Sequence, residues 1–217
     1  MVPINTKKVI IILFSAFVLL FFTGCKNNAD INVKIYAYVN GEAIITEEIE
    51  YFSEMEKTKV MQEFAEKYNI TDFSSFWENE YNGESPKIIL EKRAFERAVR
   101  AKILLVLMRD NGIYDSISFT ALRDRALKFN NKNNVSAMAG ISSINTEQFY
   151  SYYIQNGELE LKNILGEGIL KPSAEEIAAS GLVDQDLSEE MIKQSIVEEK
   201  YQKYIDFLVE EANIEKQ

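Results

Sequence analysis

Histidine is absent from this 217-residue chain, cysteine occurs once, and the 24 lysines and arginines are outnumbered by 34 aspartates and glutamates. The first absence removes the commonest general base, the usual zinc ligand and the centre of the familiar nucleophilic triads. The lone Cys25 has no partner for a disulfide. The shortage of cations argues against nucleic acid as a partner, because phosphate binding needs a basic footprint. Glycine is sparse as well, at nine. Gly140 and the Gly166/Gly168 pair lack the lysine and helix context of a phosphate-cradling loop, and no serine sits in a glycine-flanked elbow. Asp184, Asp186, Ser188 and Glu190 alternate like the first half of a calcium loop. Glu189, however, occupies the place of the required glycine, and Ser195 that of the bidentate glutamate. Ser-Lys and paired-carboxylate chemistry are not excluded by composition, but the glutamates fall at the spacings of solvated helix faces. The expectation is therefore a non-enzyme with no metal and no cofactor.

The chain also lacks an apolar run long enough to span a bilayer. Lys7 and Lys8 precede Val9 to Phe22, a stretch that is apolar except for Ser15; its length suits the core of a signal peptide. The Phe22-Thr23-Gly24-Cys25 segment that follows resembles the lipobox of bacterial lipoproteins, with Phe22 in place of the usual leucine. The resemblance implies that residues 1–24 are removed and that Cys25 becomes an acylated N-terminus, placing the protein on the extracytoplasmic face of the cell membrane. Two or more acyl chains, at about 0.8 kcal/mol per buried methylene, hold a protein far more firmly than one. Residues 25–34 then read as lipidated cysteine and tether, which reaches about 30 Å at most. Loss of the two leader lysines leaves 22 cations against 34 anions, a net charge of −12.

The remaining residues, 35–217, suffice for one core. Ile35, Ala37 and Val39 alternate with Tyr36 and Tyr38, and Asn40-Gly41 predicts a tight hairpin returning through Ile44-Ile45. Thr46 is expected to cap a helix over 46–68 with Glu47 and Glu48 in its first turn. Phe73, Phe76, Trp77 and Tyr81 recur at three- and four-residue spacing, which predicts one aromatic helix face. Ser85-Pro86 opens a helix to about Arg109, with Ile88, Phe95, Val99, Ile103 and Val106 or Leu107 on its apolar stripe, and Asn111-Gly112 stops it. A further amphipathic segment spans Phe119 to Phe129, with Leu122, Ala126 and Phe129 inward. Thr146 is expected to cap a helix carrying Phe149, Tyr150, Tyr153 and Ile154. Ser173 with Glu176 fits a capping box. Ser188 to about Ala212 forms a long closing helix with Val197, Tyr201, Tyr204, Ile205 and Leu208 on one face. The fold class is mainly α with a small β-hairpin.

Both ends of this region resemble the SurA/PrsA family of extracytoplasmic foldases. Val39-Asn40-Gly41-Glu42-Ala43-Ile44-Ile45-Thr46-Glu47-Glu48-Ile49 is similar to the opening of their N-terminal domain. Glu199 to Leu208, followed by Ala212-Asn213-Ile214, is similar to their closing helix and short terminal strand. Met108-Arg109-Asp110-Asn111-Gly112-Ile113 is similar to their mid-domain helix exit. The resemblance implies a SurA N-terminal-like helical chaperone domain completed by the C-terminal helix. Family members commonly carry parvulin isomerase domains before that helix. Here Pro172 to Leu187 leaves no room for one, and the histidines characteristic of the parvulin site are missing.

The resemblance implies partners that are unfolded or partly folded secreted polypeptides, bound without isomerase activity. The surfaces expected to receive them are Phe73, Phe76, Trp77 and Tyr81, together with Phe149, Tyr150, Tyr152 and Tyr153, with Met55 and Met61 as adaptable neighbours. The alternative for each aromatic group is core packing. Two other functions fit the sequence: an assembly lipoprotein with one dedicated envelope partner, and a solute-binding lipoprotein. An open apolar groove favours the chaperone, a flat charged face the dedicated partner, and a closed pocket the solute binder.

Overall fold

The computed structural model describes residues 33–131, 145–180 and 188–217. The leader, the lipobox, Cys25, and Asp184 and Asp186 of the calcium-like run lie outside the described residues, as does the side chain of Phe129. Asn40 and Gly41 have φ of 51° and 83°. This positive pair is the type I′ geometry that folds β1 (Ile35–Val39) back on β2 (Glu42–Ile45). The return register pairs Ala37 with Ile44 and Val39 with Glu42. Strand alternation buries Ala37 and Val39 beneath the sheet, while Tyr36 and Tyr38 stay half-exposed.

Helix α1 (Thr46–Tyr68) follows directly. Thr46 is its first residue and not the cap. Its N–H and hydroxyl both bond the Lys34 carbonyl, at 2.9 and 3.2 Å, while the Glu48 carboxylate accepts from Ile45 N–H at 3.0 Å. Asn69 ends the helix in the left-handed conformation. Residues 73–81 form turns and not the expected helix. Asn82 and Gly83, both at positive φ, join the Tyr81–Glu84 bridge by a second tight turn. Helix α2 (Pro86–Asp110) begins at the Ser85 cap and stops at Asn111, with Gly112 at φ 75°. Residues 101–105 are buried without a break, because α2 is covered on all sides. Ile88, expected on its apolar stripe, is instead 64% exposed.

Helices α3 (Phe119–Asn131) and α4 (Thr146–Glu167) pack on each other. Asn145, not Thr146, caps α4, in a reciprocal box with Gln148 (2.7 and 3.1 Å). The Ser173–Glu176 box opens the short α5 (Ala174–Ala179) as expected. Helix α6 (Glu189–Glu210) returns across α2 and α4, and β3 (Ile214–Lys216) then pairs with β1. The sheet order is β2-β1-β3, antiparallel throughout.

Tyr201 and Ile205 of α6 are wholly buried, and burying Ile205 alone is worth about 1.5–3 kcal/mol by the usual transfer values. Arg100 of α2 clasps Asp206 (2.5 Å) and Gln202 (2.7 Å) beside them. Helix α4 approaches closely enough that a methyl group at Gly166 would lie 2.9 Å from the Val197 side chain. The described residues from Lys34 onward thus make one mainly helical unit with a small antiparallel sheet. No described helix is long and apolar enough to cross a membrane.

Candidate functional site

The α1–α2 pair carries two separate apolar cores. The main one joins the sheet to α1, α2, α3, α4 and α6. A satellite at the far end gathers Val60 and Phe64 of α1 around Phe76, with Met61, Trp77, Tyr81, Ile89 and Leu90 at its margin. Phe76 packs edge-on to Phe64 (5.8 Å, 90°) and to Trp77 (4.7 Å, 81°). The 73–81 aromatics therefore do cluster, but around a turn. Phe76 is core, Trp77 and Tyr81 are half-buried, and only Phe73 of the four is exposed. The second aromatic group divides similarly: Tyr150 and Tyr153 are buried, Phe149 is half-buried and Tyr152 is exposed. Phe76, Tyr150 and Tyr153 are thus corrected from surface candidates to packing residues. Met55 is exposed, whereas Met61 is half-buried against the satellite core.

Tyr153 is fixed by its neighbours. Its ring stacks on Tyr114 (3.7 Å), its carbonyl accepts from the Tyr114 hydroxyl at 2.8 Å, and its own hydroxyl accepts from Arg125. Burial, then the nearby Tyr153, pushes Tyr114 up to about 12.

A buried polar cluster lies where α1, α2 and α4 meet. Glu48 and Lys102 are 1% and 2% exposed. Lys102 Nζ lies 2.9 Å from Glu48 Oε1 and 3.2 Å from Oε2. The Tyr150 hydroxyl donates to Oε1 at 2.9 Å, and Ile45 N–H completes the shell. Burial first and the Glu48 charge second hold the Tyr150 phenol well above its ordinary range. With both carboxylate oxygens hydrogen-bonded and both side chains buried, the cluster joins three helices. Sequence reasoning placed Glu48 only at a helix start and passed over Lys102. The available signal was a lysine inside Ala101–Leu105, four residues after Ala98 and three before Leu105, where the apolar stripe runs.

Open space lies on the solvent side of the satellite core. A groove of about 780 Å3 runs between α1 and the 77–91 segment, with Trp77, Ile88 and Leu90 as apolar lining and Glu54, Glu78, Glu80 and Glu91 among its walls. A second, of about 720 Å3, shares Glu54 and continues along α1 past Glu50, Tyr51 and Met55 to Phe119. A third, of about 790 Å3, lies between α4 and α6 and mixes Lys162, Lys171 and Lys193 with Glu167, Glu190 and Glu198. No group of metal-ligating side chains occurs among the described residues. Of these three grooves, the first brings a sequence-predicted aromatic, Trp77, to a concave, solvent-accessible surface. Compared with known protein families, curated proteins and solved structures, the chain matches none.

Proposed function

We propose that this chain is a lipid-anchored extracytoplasmic chaperone of the SurA/PrsA type, holding unfolded secreted or envelope polypeptides without isomerising prolines. The observation that carries the reading is the joining of its two ends. Residues 214–216 pair with the opening strand, and α6 covers α2 beside it, which is the arrangement the sequence resemblance implied for a chaperone module closed by its last helix. The open groove at Trp77, as opposed to a closed pocket, supports polypeptide over solute as the ligand. Holding a chain requires only accessible apolar area at about 25 cal/mol per Å2. Isomerisation has a barrier of about 18–20 kcal/mol and needs a site complementary to the twisted X-Pro bond.

Light scattering of an aggregating client, beside a protease-coupled proline-peptide assay on the same preparation, tests the reading. Protection at a few-fold molar excess with no isomerase turnover is the expected result. Trp77→Ala and Phe73→Ala should reduce protection, because both side chains reach solvent at the tip. Absence of protection overturns the chaperone, and measurable turnover overturns the non-enzyme. In cells, Cys25→Ser should release the protein or leave its precursor uncleaved; a mature, membrane-bound mutant overturns the anchor.

A further inference from the structure

Resting on the chaperone reading, we infer that the groove between α1 and the 77–91 segment is the client seat, and that it takes extended segments in which basic residues flank an apolar one. Several acids of the α1–α2 tip outside the groove are neutralised, Glu63 by Arg93 (2.5 Å), Glu84 by Lys67 (2.8 Å) and Glu56 by Arg97, while Glu66 and Asp72 have no ion-pair partner among the described residues. Glu78, Glu80 and Glu91, which line it, have no ion-pair partner among the described residues, and Lys57 is engaged by Glu54 at 3.2 Å. Lys87 is the other cation of the lining.

Between these acids the apolar lining reaches solvent through Ile88 and the outer faces of the half-buried Trp77 and Leu90. Ile88 is 64% exposed on a helix whose later apolar residues are mostly buried, and Trp77 presents a ring that can receive both an apolar side chain and a cation. Glu54 also lines the neighbouring groove, where Arg123 is spent on Glu47 (3.0 Å) and Glu50 has no ion-pair partner among the described residues. From Glu47 to Lys57 the strip follows α1 for about 15 Å, the span of four or five extended residues. An acidic segment, or an acidic second copy of this chain, would meet a net negative lining, in which Glu47, Glu50, Glu54, Glu78, Glu80 and Glu91 outnumber Lys57, Lys87 and Arg123.

Trp77 is the only tryptophan, so its emission reports occupancy of the groove directly. The full chain, reconstituted in phosphatidylcholine vesicles, is titrated with two short peptides of identical leucine and phenylalanine content, one carrying lysines and the other glutamates. The lysine peptide should shift Trp77 emission and bind at least about tenfold more tightly. Raising salt to about 0.5 M, where charges are screened beyond about 4 Å, should weaken it several-fold. The variant Glu78→Lys/Glu80→Lys/Glu91→Lys changes only exposed positions and should lose at least about tenfold for the same peptide. Equal binding of the two peptides, or lysine-peptide binding that leaves Trp77 emission unchanged, overturns the inference without need of the variant. Client protection by the wild type alongside either result leaves the chaperone standing and removes only its seat. Failure of wild-type protection removes the chaperone reading itself.

Discussion

Lys102 and Glu48 depend on each other more than any surface pair in this protein. Desolvating two ions is costly, and their attraction offsets the cost only while both are present and their remaining hydrogen bonds are made. Lys102→Met alone leaves the Glu48 carboxylate buried with only Tyr150 and Ile45 as donors, and should lower the unfolding free energy by about 3–5 kcal/mol. Adding Glu48→Gln removes the orphaned charge, so the double variant should be more stable than Lys102→Met. Urea unfolding of the wild type and the two variants measures this, and a double variant no better than the single would show that the ionic state of the cluster is not what matters. The surface pairs, such as Lys203–Glu199 at 2.5 Å, are solvated and contribute about 0–1 kcal/mol each.

At the scale of the element, the legible features were those whose cause is local. Asn40-Gly41 makes its turn because those residues accept positive φ; Ser85-Pro86, Asn111-Gly112 and Ser173 with Glu176 mark helix ends by their own hydrogen-bonding chemistry. Residues 73–81 misled because aromatic spacing of three and four suits a helix face equally well as a turn that wraps Phe76 with Phe64, Trp77 and Tyr81 around it. The caps of α1 and α4 each lay one residue before the expected threonine, where Ile45 offers an N–H to Glu48 and Asn145 a better oxygen than Thr146. The candidate groove was legible only in Trp77; its walls come from three separate stretches of sequence, which no local pattern unites. The closing helix α6 is predicted to be indispensable. A chain ending at Ser180 lacks Tyr201 and Ile205 and exposes their partners on α2 and α4. It should lose its cooperative unfolding transition, whereas a retained sharp transition would show that residues 34–180 fold alone.

For the whole molecule, lack of histidine removes the side chain that ordinarily changes charge between about pH 5 and 8. Below that range, carboxylates held under their ordinary 4.5 lose their advantage: Glu63 through its hydrogen bond with Arg93, Glu84 through that with Lys67, and Glu176 through the Ser173 N–H and then Lys200. A depressed folded pKa stabilises above the unfolded value and is lost as pH falls through the folded one. Tyr114, Tyr150 and Tyr153, raised above 10.0 chiefly by burial, act in the opposite sense: their contribution is complete below the unfolded value and is lost as pH rises through the folded one. Midpoints of urea unfolding should therefore form a plateau between about pH 5 and 9 and fall on both sides. A step inside the plateau would contradict this account.

The pairing of β1 with β3 also sets an order of events. Asn213 N–H donates to Asn40 Oδ1 at 2.9 Å across 173 positions of sequence, so β1 has only one of its two neighbours until nearly the whole described chain has emerged. A polypeptide delivered N-terminus first would carry an open sheet edge and an uncovered α2 through most of its passage, and would close only when residues 189–216 arrived. The fold thus has a built-in delay: its sheet and core are complete only once the last described helix and strand are available.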